Sequence, residues 1–147
     1  MDTILDTDKV SGEDVMPSMV SVDMQVTPLK KHGKELACAI AGTSVDGGVI
    51  ELGTANSHTM TFQLMDGNVP GLKFVSDADN YPFSSTTDDC PRRGDQVNQF
   101  TSMTLSPDRR TLTVVADPGS DPIVHYALRF EDEDAKVFKW DPIIINN

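Results

Sequence analysis

A chain of 147 residues has room for one domain whose hydrophobic core needs neither disulfides nor a structural metal. Its 23 acidic residues against 12 basic ones give a formal charge of -11, so its average surface repels phosphate backbones and anionic lipid headgroups. Nucleic-acid and membrane partners are therefore not expected, and no apolar run reaches the length of a membrane span.

Residues Met1 to Asp14 are polar and acidic, with Ser11 and Gly12 interrupting any periodicity, and they read as a mobile tail ahead of a domain over 15–147. The same acidic start, lacking a basic n-region and an apolar h-region, does not resemble a signal peptide, which makes a cytoplasmic, reducing location the expectation. From Met19 to Val26, Val20, Val22, Met24 and Val26 alternate with polar residues, predicting a strand with one face in a core, ended by Thr27-Pro28. Glu35 to Ala41 predicts a second strand, with a short helix over Lys30 to Ile40 as the competing reading; Asp46-Gly47-Gly48 is a turn and Val49 to Leu52 a return strand. Met60, Phe62 and Leu64 mark the next strand, and Leu72 to Val75 another.

Ser76 to Gln99 shows no periodicity and is predicted to be a long loop, a length that in compact domains usually carries function or lacks order. Strands then resume at Thr101 to Leu105, Thr111 to Ala116, Ile123 to Phe130 and Lys136 to Ile145. Between the first two of these, Ser106-Pro107-Asp108-Arg109 has the Pro and Asp placement of a type I turn. In the last, Pro142 cannot donate to a ladder, so it must sit at an edge, a bulge or a change of strand partner. Trp140 and Phe138, two residues apart, should share a core-facing side. About eight or nine strands joined mostly by short turns predict an all-β, antiparallel β-sandwich of Greek-key, immunoglobulin-like type.

Residues able to carry chemistry are few. His32, His58 and His125 fall on three different elements, and no Gly-x-Ser-x-Gly, His-x-x-x-His or Cys-x-x-Cys spacing occurs, so the chain does not read as an enzyme. Cys38 sits in an apolar run and Cys90 in a polar loop, and they do not look like a pair. A blue-copper ligand set is excluded because neither His nor Met follows Cys90 within ten residues. The candidate metal ligands are Asp77, Asp79, Asn80, Asp88 and Asp89, whose closely spaced oxygens suit Ca²⁺. The Asp-x-Asp-x-Asp-Gly frame with a Glu at the twelfth position is absent, and acidic loops in a chain this acidic are usually just solvated. Tyr81 and Phe83 in that loop are candidate contacts for a partner or plugs for the sandwich end. Ile143, Ile144 and Ile145 put β-branched side chains on both faces of the last strand, which points to a covering second subunit or the chain's own loops.

Leu105-Ser106-Pro107-Asp108, the strands Thr111-Leu112-Thr113-Val114 and Tyr126-Ala127-Leu128-Arg129-Phe130, and the terminus Asp141-Pro142-Ile143-Ile144-Ile145-Asn146 resemble those of the DP-EP family of small bacterial β-sandwich proteins. The resemblance covers about a third of the chain, which ends at Asn147 without the family's Glu-Pro. It implies a bacterial source and a sandwich fold, and no activity. The sequence therefore leads to a non-catalytic interaction or assembly module that binds protein and associates with itself. The alternative is a small-ligand, carbohydrate or Ca²⁺-binding sandwich using the 76–99 loop. Removing residues 1–14 is expected to leave the melting temperature nearly unchanged; a fall of many degrees in a thermal melt would show that this segment belongs to the folded domain.

Overall fold

Val22, Met24 and Val26 are wholly buried while Ser21, Asp23 and Gln25 between them are exposed, as their alternation dictates. The same rule shapes a chain that, in a computed structural model describing residues 19–76 and 82–146, is all-β among those residues. Residues 1–14, expected to be a tail, lie outside the described ones. The strands are β1 (Met19–His32), β2 (Glu35–Gly42), β3 (Val45–Asp46), β4 (Val49–Leu52), β5 (Ser57–Leu64) and β6 (Lys73–Phe74). They continue with β7 (Phe83–Thr86), β8 (Phe100–Leu105), β9 (Thr111–Ala116), β10 (Ile123–Glu131), β11 (Val137–Trp140) and β12 (Ile143–Asn146).

The strands join in one mixed sheet with the order β3-β4-β12-β10-β11-β2-β1-β5-β9-β8, while β6 and β7 add to the other edge of β10. A single bridge, Lys139 opposite Glu35, links the half ending in β8 to the half built on β10. The two halves meet through their side chains. Phe62 of β5 contacts Tyr126 of β10 at 5.8 Å and Phe83 of β7 at 6.2 Å between ring centroids, and Phe83 meets Phe100 of β8 at 4.9 Å. These rings lie at the centre of the core and favour tilted and edge-on geometries.

The turn pattern predicts antiparallel pairing throughout, but β1 with β5, β2 with β11 and β4 with β12 are parallel. The connection from β1 to β5 explains the first of these. The chain leaves β2, crosses to lay β4 beside β12, and returns to β1 from the same end, and such a crossover is what parallel neighbours require. Nor does β1 stop at Pro28. A bulge between Pro28 and Lys30 absorbs the missing donor, and the Pro28 carbonyl accepts the Asn68 N–H at 2.9 Å. Gly67 is needed beside it, since a Cβ there would strike that same carbonyl. The helix reading of 30–40 is likewise replaced by the end of β1, a turn at Gly33 and β2.

Pro142 marks the change of partner: β11 lies against β10 and β2, while β12 lies against β10 and β4. Phe138 is buried and Trp140 packs against the core on the same side. The Ser106–Arg109 turn closes with Arg109 N–H donating to the Ser106 carbonyl at 2.9 Å, and Arg109 takes a positive φ of 57° where β9 begins its return.

One core group is out of balance. Tyr126 is fully buried, and among the described residues its Oη alone of the buried side-chain polar atoms has no hydrogen-bond partner. Burial, and secondarily the neighbouring Cys38, push its pKa well above the ordinary tyrosine value. An unsatisfied hydroxyl contributes desolvation cost without a compensating bond. Tyr126→Phe is therefore expected to melt at or above the wild-type temperature, with a gain of up to about 1 kcal/mol in denaturant unfolding. A clear loss of stability would show that the hydroxyl has a partner after all.

Candidate functional site

The 76–99 segment is not a featureless loop. Phe83 to Thr86 form β7, antiparallel to β10, because Phe83 inserts into the core opposite Leu128 and carries its neighbours into register. That pairing orients Ser85, which is buried and organises the returning chain. The Ser85 hydroxyl donates to Gln96 Oε1, its oxygen accepts the Val97 N–H at 2.9 Å, and the Ser85 N–H donates to the Asp95 carbonyl at 2.9 Å. Residues 86–95 thus form a loop closed at its neck. Within it Arg92 N–H donates to Asp95 Oδ2 at 2.9 Å, and Asp88 N–H to Thr86 Oγ1 at 3.1 Å.

Beneath the loop lies Arg129. Alternation along β10 assigns it to the solvent face, yet it is only 8% exposed, since β10 is covered on both faces. Its Nη1 donates to Ser84 Oγ at 2.6 Å and Nη2 to the Pro91 carbonyl at 3.0 Å. Burial first, then the nearby Arg93, draw the Arg129 pKa down from its ordinary value, and Asp95 and Asp141 oppose that shift. A guanidinium tied to a hydroxyl and a main-chain carbonyl is a clamp on the loop. A second tie is His125 Nε2 on β10, 3.5 Å from Asp89 Oδ1, an ion pair when the imidazole is protonated.

The loop and the neck enclose an open cavity of about 630 Å³. Its wall is polar, with the carboxylates of Asp88, Asp89 and Asp95, the guanidinium of Arg92, and the hydroxyls of Thr86 and Thr87. Such a wall, with Asn98 also in it, offers both acceptors and donors, which suits a small polar molecule such as a polyhydroxyl compound. Cys90, exposed and at φ 54°, stands at its rim, and both cysteines are unpaired. Cys38 is the inert one, its thiol pushed up to about 12 by burial. His58 is also buried, which lowers its pKa.

The residues singled out in the sequence fare differently. Asp77, Asp79, Asn80 and Tyr81 lie outside the described residues. Asp88 and Asp89 sit on the exposed loop, and among the described residues no three His, Cys, Asp or Glu side chains group so as to hold a metal ion. Phe83 is not a surface contact: it is fully buried and stacks on Tyr126 at 5.7 Å. Ile144 is not one either. β12 is an interior strand with β10 on one side and β4 on the other, so Ile144 is wholly buried and Ile143 and Ile145 are half-buried on the opposite face. The chain's own core covers Ile144.

Arg129, Ser85 and Gln96 escaped the sequence reading because each acts through a nonlocal partner. An arginine within an otherwise apolar strand was the available signal. Compared with known proteins, the chain matches no family model and no curated sequence.

Arg129→Met should keep the fold but lose on the order of 2–4 kcal/mol, since two charge-assisted bonds go. Limited trypsin digestion should then cut after Arg92 or Arg93 faster than in the wild type. Unchanged cleavage there would mean that the loop is held without the clamp.

Proposed function

We propose that the chain is a non-catalytic protein-interaction module, an immunoglobulin-like sandwich that associates with itself through the outer edge of β8. One observation carries this reading. β8 ends the sheet, pairs among the described residues only with β9, and presents Phe-Thr-Ser-Met-Thr-Leu without a charged residue. Open edges are normally blunted by lysine, proline, a bulge or a covering loop, because their unpaired backbone groups template further strands; β8 has a bulge between Phe100 and Ser102, and its regular stretch is Ser102 to Leu105. In a chain of charge -11, copies approach most easily where charge is missing. Two β8 strands can pair antiparallel about a twofold axis, the self-complementary arrangement that closes a dimer. The terminal strands that resemble those of the DP-EP family would then serve the core rather than the contact. The negative surface is in keeping with partners other than nucleic acid or membrane, and no helix of the described residues is long and apolar enough to cross one.

The polar cavity under the 86–95 loop supports a second reading, in which it takes a carbohydrate or another small polar ligand; for Ca²⁺, the other ligand of this reading, no three carboxylates of the described residues group there. Thermal melts with Ca²⁺ and with simple sugars separate the two, because a ligand that binds the native state raises the melting temperature by mass action.

The edge reading predicts that wild-type protein sediments as a dimer at micromolar concentration, and that Ser102→Lys with Thr104→Lys gives a monomer with an unchanged melt. Both side chains are exposed, so the substitutions leave the core intact. A wild-type protein that stays monomeric at every concentration tested would remove this reading.

A further inference from the structure

Far from β8, β11 and the β1–β2 turn border a groove of about 480 Å³ walled by Lys34, Glu35, Lys136, Val137 and Lys139 over the buried Phe138. We propose that this groove binds an extended acidic peptide, which adds a strand along the outer edge of β11. Three features of the groove converge on that occupant.

The first is charge. Three ammonium groups and one carboxylate face the groove in a chain whose formal charge is -11. In the adjoining turn Glu131 pairs with Arg109 and the carboxylate of Asp134 is exposed. Asp132 Oδ2 pairs with Lys31 at 2.9 Å and its Oδ1 accepts the N–H groups of Asp134 and Lys136, while the Glu133 side chain packs against Gly71. Lys139 leans on Asp141 at 3.7 Å, but among the described residues Lys34 and Lys136 have no carboxylate within ion-pair distance. Lys31 and Lys136 also flank the Phe138 ring, at 4.8 and 5.6 Å, which stiffens the groove wall.

The second is an open backbone edge. Lys139 N–H donates to the Lys34 carbonyl at 2.9 Å, and that is the only residue at which β11 pairs with β2. Backbone groups of alternate residues point the same way, so the N–H and C=O of Val137 also face the groove, where no strand of the described residues meets them. The third is an apolar contact: Val137 is 37% exposed beside that edge. A strand with alternating acidic and aliphatic residues matches all three, with main-chain bonds giving affinity and the lysines giving selectivity.

The probe is a fluorescein-labelled peptide of sequence Glu-Val-Glu-Val-Glu-Val-Glu, titrated with full-length protein and followed by anisotropy. Binding should weaken as salt rises, and by about tenfold or more in Lys34→Glu and in Lys136→Glu, with no such loss in Lys73→Glu, which makes the same charge change on β6. A peptide with proline in place of each valine lacks the donors for strand addition and should bind far less. Thermal melts of each variant establish that the fold is kept. Equal loss in Lys73→Glu would reduce the effect to net charge and overturn the proposal. So would absence of binding, or a sedimentation shift in Lys34→Glu without peptide binding, which would assign the groove to a second copy. Ser102→Lys with Thr104→Lys on β8 should leave peptide binding unchanged, so the outcome here is independent of the edge reading.

Discussion

The structure depends on β10 being covered on every side. Along one edge it pairs first with β12 and then with β11, and along the other with β7 and β6, so its backbone donors and acceptors are spent within the protein. Its side chains serve both faces. Tyr126, Leu128 and Phe130 fill the core, with Phe130 stacked on Phe74 at 5.0 Å, while His125 and Arg129 reach the opposite face and hold the 86–95 loop. A polar side chain on a strand buried on both faces must find hydrogen-bond partners, and Arg129 finds them in Ser84 and Pro91.

The same constraint links fold to surface. Because β7 is drawn into the sheet by Phe83, the chain that follows must return over β10, and its polar residues form a cavity wall rather than a solvated coil. Because the chain leaves β2 for β4 at Pro142, β11 and β2 share one bridge, and the lysine-walled groove lies on the other side of that bridge from Pro142, where the β1–β2 hairpin turns back between His32 and Glu35. Neither opening arises from a local motif. The edge at β8 has a different origin: it is simply the last strand of its half, and its lack of charge sets it apart from the rest of an acidic surface.

Alternation, burial propensity and turn chemistry report only a strand's own two faces and its nearest turn, so they determined what is local. The all-β class, the core positions Val22, Met24, Val26, Leu112, Val114, Val124, Tyr126 and Leu128, the Ser106–Arg109 turn and the packing of Phe138 with Trp140 were all legible in this way. Pairing is settled by which edges meet after the loops have closed, and no residue pattern carries that information. Tertiary structure alone therefore decided that β1 runs parallel to β5, that Pro28 lies in a bulge within a longer strand, and that Phe83 and Ile144 belong to the core. It also decided that Arg129 is buried. The polar position of an alternating strand normally faces water, and only the loop laid across β10 turned it inward.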